Sequence, residues 1–150
     1  MTDIDDIDRR ILQVLSQDGR ISNVDLAGRV GLSPSACLRR VHELERKGVI
    51  EGYRARLNPA ALGIGFLAYV TVGRSRHTKQ EQADFEAAMR RASQVRECHN
   101  ITGSVEYLLR VETVDLPAYK HFHTEVLGAF PQVATITSYI VMGSPKDERG

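Results

Sequence analysis

The sequence predicts an α+β chain in two parts, three short helices followed by a strand-helix-strand-strand-helix-strand series. Three observations predict it. Apolar residues recur at helical spacing up to Gly48, cap and stop residues punctuate that stretch twice, and from Phe66 onward runs of strand formers alternate with helical segments.

The first helix starts near Ile4. Ile7, Ile11, Leu12 and Leu15 make its apolar stripe, acidic residues fill its first turn, where the helix dipole favours them, and Asp18-Gly19 closes it. Ser22 and Asp25 form a cap of the Ser-x-x-Asp kind for a short second helix carrying Leu26, Ala27 and Val30, ended by Gly31. Ser33 caps a third helix. Pro34 suits its first position, where a missing N–H costs nothing; the stripe is Cys37, Leu38, Val41 and Leu44, and Gly48 ends it.

Two short helices separated by Gly31-Leu32-Ser33 match the helix-turn-helix plan, in which the second helix of the pair enters the major groove of DNA. A generic three-helix bundle is the alternative. At 100° per residue, the face opposite Cys37, Val41 and Leu44 carries Ser35, Arg39, His42 and Arg46, with Arg40 at its flank.

Val49 to Leu57 is rich in strand formers and reads as a linking strand, and Asn58-Pro59 opens a hinge over 58–63. The run from Phe66 to Val72 is apolar on both alternating faces, and the helix after it carries Phe85, Ala88, Met89 and Ala92. Strands over Val95 to Thr102 and Tyr107 to Glu112 flank the turn Gly103-Ser104-Val105-Glu106 and should form a hairpin. A second helix follows Asp115, has Pro117 in its first turn, buries Leu116, Tyr119, Phe122 and Val126, and stops near Gly128. A last strand spans Ala134 to Met142.

That order is the ferredoxin-like split βαβ motif, with helices on one side of the sheet only. The first and last strands are apolar on both faces, which one helix layer cannot cover, so a sheet-on-sheet homodimer is expected. The expected organisation is a helix-turn-helix domain with its linking strand over 1–57, a hinge over 58–63, a ferredoxin-like domain over 64–142 and a polar, fraying tail over 143–150.

Composition narrows the function classes. A hydrophobic share of 42% and a charged share of 26% are globular values, and a formal net charge of +1 supplies no global attraction to nucleic acid. Placement of charge decides instead. From Arg29 to Arg56 the cations Arg29, Arg39, Arg40, Arg46, Lys47, Arg54 and Arg56 outnumber Glu43, Glu45 and Glu51, whereas the first 25 residues are predominantly acidic. Phosphate contacts need cations and helix N-terminal amides; base reading needs forked or short polar side chains. Ser35 and Arg39 are the base-edge candidates. Arg40 and Arg54 suit phosphate, although Arg40 could equally pair with Glu43 or Glu45, and Ser33 and Ala36 complete the helix start.

Cys37 and Cys98 lie far apart and outside any Cys-x-x-Cys spacing, which fits a reducing cytoplasm, and the acidic N-terminus does not resemble a signal peptide. Cys98-His99 and His121-x-His123 match no familiar closed metal site, and the phase of Cys37 places it in the apolar stripe rather than in a redox sensor. No serine sits on a recognisable nucleophile elbow and no glycine-rich phosphate loop occurs. Neither catalysis, a metal nor a cofactor is expected.

The run Ile4-Asp5-Asp6-Ile7-Asp8-Arg9-Arg10-Ile11-Leu12, the segment LSPSACLRRVHELERKGVIEGYRARLNP, and ECHNITGSVEYLLRV together resemble the leucine-responsive/asparagine-responsive (Lrp/AsnC) family of transcriptional regulators over nearly the whole chain. The resemblance implies a winged or strand-linked helix-turn-helix, a ferredoxin-like ligand domain, and dimers that assemble into octamers or similar rings with amino acids bound between dimers. It carries the effector site to Thr102, Gly103, Ser104, Val105, Glu106 and Tyr107, with Ile136 and Ser138 on the last strand. Amides at a glycine turn can hold a free amino acid's carboxylate, and Glu106 is the natural partner for its ammonium. The family more often has Asp there, so Glu106 carries the charge one methylene further.

The reading is a sequence-specific DNA-binding regulator, cytoplasmic and nucleoid-associated, with double-stranded operator DNA, a free amino acid and further copies of itself as partners. The alternative is an architectural DNA-organising protein with a vestigial ligand pocket. An enzyme guided to DNA is a third reading, without a persuasive nucleophile and base.

Overall fold

The computed structural model describes residues 3–75 and 78–149. Two compact units divide the chain, one made of the residues up to Leu57 together with those after Asp147, the other spanning Asn58–Asp147.

In the first unit, α1 (Asp6–Gln17) begins with a reciprocal capping box. The Asp8 N–H donates to Asp5 Oδ1 at 2.8 Å, and the Asp5 N–H donates to the Asp8 carboxylate at 3.4 Å. Helix α2 (Asn23–Val30) is capped by Ser22, which accepts from the Asp25 N–H, and ends on Gly31 at φ 74°, a left-handed position that glycine adopts without strain. Helix α3 (Pro34–Arg46) starts on Ser33 with Pro34 in its first turn.

Ile11, Leu26, Ala27, Val30, Cys37, Val41 and Leu44 form the core of this unit. Leu38, expected in the stripe, is 43% exposed: it lies about 100° round the helix from Cys37, beyond the contact with α1 and α2. The linking strand expected over 49–57 is not formed. Residues 51–57 are exposed and form no strand, and a strand needs a ladder partner to satisfy its backbone.

The hinge takes a definite form, a 3₁₀ turn over Ala60–Leu62 held by the Ala61 N–H donating to Asn58 Oδ1 at 3.3 Å. Then come β1 (Phe66–Arg74), α4 (Lys79–Arg91), β2 (Val95–Asn100), β3 (Tyr107–Thr113), α5 (Leu116–Glu125) and β4 (Val133–Ile140). The strands form one antiparallel sheet in the order β2-β3-β1-β4, the ferredoxin-like arrangement expected from the element order.

Alternation along β1 sends Phe66, Ala68, Val70 and Val72 to the helix side, where Tyr107, Leu109 and Val111 join them under Phe85 and Met89 of α4 and Tyr119 and Phe122 of α5. Fully buried Phe85 and Phe122 each contribute about 1.5–3 kcal/mol of apolar burial. Leu116 departs from expectation at 57% exposure; it occupies the first helical position, ahead of the turns that reach the sheet.

The opposite face carries half-buried Leu67, Tyr69, Thr71 and Leu108 and exposed Tyr139. Arg110, on that same face, is only 3% exposed: its Nη1 donates to the Tyr69 hydroxyl at 2.8 Å, its Nη2 to Glu112 at 3.2 Å, and Asp147 of the tail lies 3.9 Å away. The tail expected to fray therefore returns to the sheet at Asp147; its last residue, Gly150, lies outside the described residues.

Candidate nucleic-acid interface and ligand site

The turn between α2 and α3 is built to hold one angle. The Leu32 N–H donates to the Ala27 carbonyl at 2.9 Å, and the Asn23 side-chain amide donates to the Pro34 carbonyl at 2.8 Å, tying the start of α2 to the start of α3. Ser33 accepts from the Ala36 N–H at 3.3 Å, so its hydroxyl serves the helix cap. Ala36 is half-buried beside it, and Ser35 is exposed.

Ser35, Arg39, His42 and Arg46 all lie on the exposed face, as the helical phase predicts, but they are not electrostatically alike. Arg46 grips Glu43 with two hydrogen bonds, at 2.9 and 2.6 Å, which hold the Glu43 carboxyl down at about 2. Arg39 and Arg54 are exposed and form no ion pair among the described residues. They are open to an incoming polyanion, as are the equally exposed Arg29 and Arg56.

Arg40 turns elsewhere. Its Nη1 lies 2.6 Å from Asp5 and 3.0 Å from Asp8, inside the α1 capping box. This holds Arg40 away from the phosphate role expected of it, and the alternative pairing with Glu43 or Glu45 is not made either, because Glu43 is held by Arg46 and Lys47 and Glu45 accepts from the Tyr53 hydroxyl at 3.3 Å. Asn23 and the Asp5–Asp8 pair were not read from sequence as functional; the Asp-x-x-Asp spacing ahead of an apolar run was the available signal for the pair.

In the second unit the loop between β2 and β3 runs back across the end of β1. The Ile101 N–H donates to the Glu106 carbonyl at 2.8 Å, and the Glu106 N–H donates to the Val72 carbonyl at 3.1 Å. Gly103 sits at φ 127°, a conformation that side chains disfavour. Thr102, Gly103 and Ser104 are exposed, whereas Val105 and Glu106 are half-buried.

Tyr107 is fully buried, and its hydroxyl donates to Glu86 at 2.6 Å. Ile136 pairs with Val72 across the β1–β4 ladder, so it shares the end of the sheet with Tyr107 and the turn. Ser138 lies two residues along β4, opposite Val70, and exchanges a hydrogen bond with the Tyr119 hydroxyl.

Glu106 is less open than expected of an ammonium partner. Its Oε2 accepts the Arg74 N–H at 2.7 Å, beside the register shift between Gly73 and Arg74 that loosens the β1–β4 ladder. The extra methylene lets the carboxylate reach that strand end. Arg74, which sequence reasoning passed over, is 7% exposed and lies 5.8 Å over the Tyr107 ring.

Among the described residues, no group of three or more His, Cys, Asp or Glu is arranged to hold a metal, and no helix is long and apolar enough to cross a membrane. Burial pushes the Cys37 thiol up, and the Cys98 thiol up to about 11, so neither is an activated thiolate.

Comparison with known proteins matches these two regions separately. A winged helix-turn-helix DNA-binding profile matches residues 4–51, and the Lrp/AsnC ligand binding domain profile matches residues 67–150. The chain is 43% identical to a leucine-responsive regulatory protein of Salmonella typhimurium over 144 residues, 96% of this chain and 88% of that one. It is 42% identical, with the same coverage, to the protein of that name in Escherichia coli K12. A transcriptional regulator from Neisseria meningitidis, solved as an L-Met complex, superposes with a TM-score of 0.93 at 37% identity, covering 97% of this chain and 94% of that one. An AsnC family regulator from Agrobacterium tumefaciens gives 0.91 at 30%, covering 96% and 94%.

Proposed function

The chain belongs to the Lrp/AsnC family of DNA-binding transcriptional regulators, which are not enzymes, and we propose that it binds operator DNA through α3 and adjusts that binding to a free amino acid sensed by its second unit. The observation that carries the DNA half is the display of Arg39 on the exposed face of a recognition helix whose start is tied down by Asn23. Ser35 and Arg39 read base edges; Arg54, with the Ser33 and Ser35 amides at the start of α3, contacts phosphate, while the Ala36 N–H is taken by the Ser33 cap. Arg40 acts behind them, fixing α3 to α1.

Two copies place two recognition helices in successive major grooves about 34 Å apart. The sheet face bearing Tyr69, Leu108 and Tyr139 is the surface a second copy covers, and dimers assemble further, into octamers or similar rings. The protein works in the cytoplasm, on the nucleoid.

The amino acid is received around Thr102 to Tyr107, near Ile136 and Ser138, with the exposed amides of the glycine turn toward its carboxylate. Support comes from the match to a ligand binding domain and from the neighbour solved with L-Met. An effector seated there changes DNA occupancy only by favouring one assembly state, so DNA must reciprocally change effector affinity.

The hold of Glu106 on the Arg74 N–H favours a second reading, an architectural DNA-organising protein whose turn no longer answers a ligand. One experiment separates them: binding to a fragment from the native gene neighbourhood, at fixed salt, with and without each free amino acid. Selective binding altered by one amino acid supports the regulator; selective binding indifferent to all supports the architectural protein.

A further inference from the structure

Leu38 is the one large apolar side chain exposed on α3, at 43%, and it belongs neither to the buried core of the first unit nor to the half-buried residues packed against that core. At about 100° per residue it lies about 40° round the helix from His42 and about 60° from Ser35, and these two stand between it and Arg39. Leu38 is therefore part of the outward face, among the polar residues offered to DNA, and not part of the stripe that meets α1 and α2.

A lone apolar side chain on open surface has no consequence. One on a face that docks into a groove is stripped of water along with its polar neighbours, and a leucine side chain has no hydrogen bond to offer phosphate oxygens or base-edge donors and acceptors. Of the groups that base edges present in the major groove, only the thymine C5-methyl is apolar; adenine, guanine and cytosine show donors and acceptors there.

We propose that Leu38 is a specificity-determining residue of the recognition helix, selecting thymine in each half-site by packing its side chain on the C5-methyl. The inference rests on the reading that α3 lies in the major groove. It adds to the polar contacts of Ser35 and Arg39 an apolar one that tells thymine from cytosine, the pyrimidine without a methyl. Consecutive Cα atoms are about 3.8 Å apart and stacked bases about 3.4 Å, so this thymine falls within about two base pairs of the position read by Arg39. Burial of one methyl group corresponds to about fourfold in affinity.

The test starts from duplexes selected out of a random-sequence pool by the full chain. In the tightest-bound duplex each thymine is exchanged in turn for deoxyuridine, which removes the methyl and keeps the pairing edge. Wild type, Leu38→Ala, Leu38→Met and Arg39→Ala are titrated on this series at one salt concentration, with unfolding temperature as the check on folding; alanine is a strong helix former, so Leu38→Ala keeps α3. The expected result is one thymine per half-site whose exchange weakens wild-type binding about fourfold, Leu38→Met binding nearly as much, and Leu38→Ala binding by less than about 1.5-fold. A wild type indifferent to exchange at every thymine overturns the inference, while relaxed selectivity of Arg39→Ala in the same series leaves the reading of α3 standing. A methyl effect undiminished in Leu38→Ala belongs to another residue or to duplex shape, and also overturns it. If Arg39→Ala and Leu38→Ala both discriminate among duplexes as well as wild type does, α3 does not read the groove and both readings fall.

Discussion

Arg40, in the recognition helix, and Asp5, at the N-cap of α1, are 35 residues apart and meet at 2.6 Å. The same Asp5 carboxylate caps α1 by accepting the Asp8 N–H, so one side chain closes a helix and anchors another. This separates the arginines of α3 by role. Arg54→Ala should weaken DNA binding and lower the slope of log K against log salt by about 1, whereas Arg39→Ala should weaken binding and relax sequence selectivity. Arg40→Ala should leave that slope nearly unchanged and lower the unfolding temperature of the first unit. Binding isotherms at several salt concentrations, with thermal melts, distinguish the two; a full unit lost from the Arg40→Ala slope would return Arg40 to the phosphate contacts.

The same contact sets an acid response. The Asp8 N–H foremost, with the Arg40 guanidinium next, holds the Asp5 carboxyl below its ordinary value of 3.8. A carboxyl depressed in the folded state contributes stability that is fully present above the unfolded value and is lost as pH falls through the folded one. The first unit should therefore lose stability below about pH 4, and less steeply in Arg40→Ala. Denaturant midpoints between pH 2 and 6 read both slopes.

Gly73 makes a close approach, since a Cβ there would run into Thr135 Oγ1 on β4. Gly73→Ala should cost about 1–3 kcal/mol by overpacking. Thr135→Ala removes the obstructing hydroxyl, so the double variant should recover part of the loss; a double-mutant cycle by urea unfolding measures the coupling, and strict additivity would place the strain elsewhere.

Phe85 is fully buried and its ring lies 4.7 Å from the Tyr107 ring and 5.4 Å from that of Phe130. Phe85→Ala should destabilise the second unit by about 3–5 kcal/mol. Leu116→Ala, at an exposed position, should change stability by about 0.5 kcal/mol or less. Guanidinium denaturation of the two variants checks the contrast.

Gly103 at φ 127° leaves no comfortable place for a branched side chain. Gly103→Val should cost about 1–3 kcal/mol of local strain and abolish the amino-acid response, while DNA affinity without effector stays within about twofold. Titration of operator binding with and without the effector shows which property changes.

Most of the fold was legible in local sequence. Cap residues Ser22, Ser33 and Asp115, the stop at Gly31 and the period-2 run after Phe66 depend on a residue's immediate neighbours, and the elements they predict are present with shifts of one or two residues at several ends. The strand expected over 49–57 failed for the opposite reason: strand propensity states a preference for a pleated surface, and only a partner strand turns it into a ladder.

The sites divide along the same line. Sequence by itself determined which residue types stand on the outer face of α3 and where the glycine turn falls, because helical phase and turn chemistry are local. Only the tertiary structure decided that Arg40 belongs to Asp5 and Asp8, that Glu106 reaches the Arg74 N–H, and that Glu86 is held by the Tyr107 hydroxyl. Charge pairing acts over a few ångströms of space and takes no account of distance along the chain, so the partner of a charged side chain is settled by which helix ends and strand edges the packed core brings together.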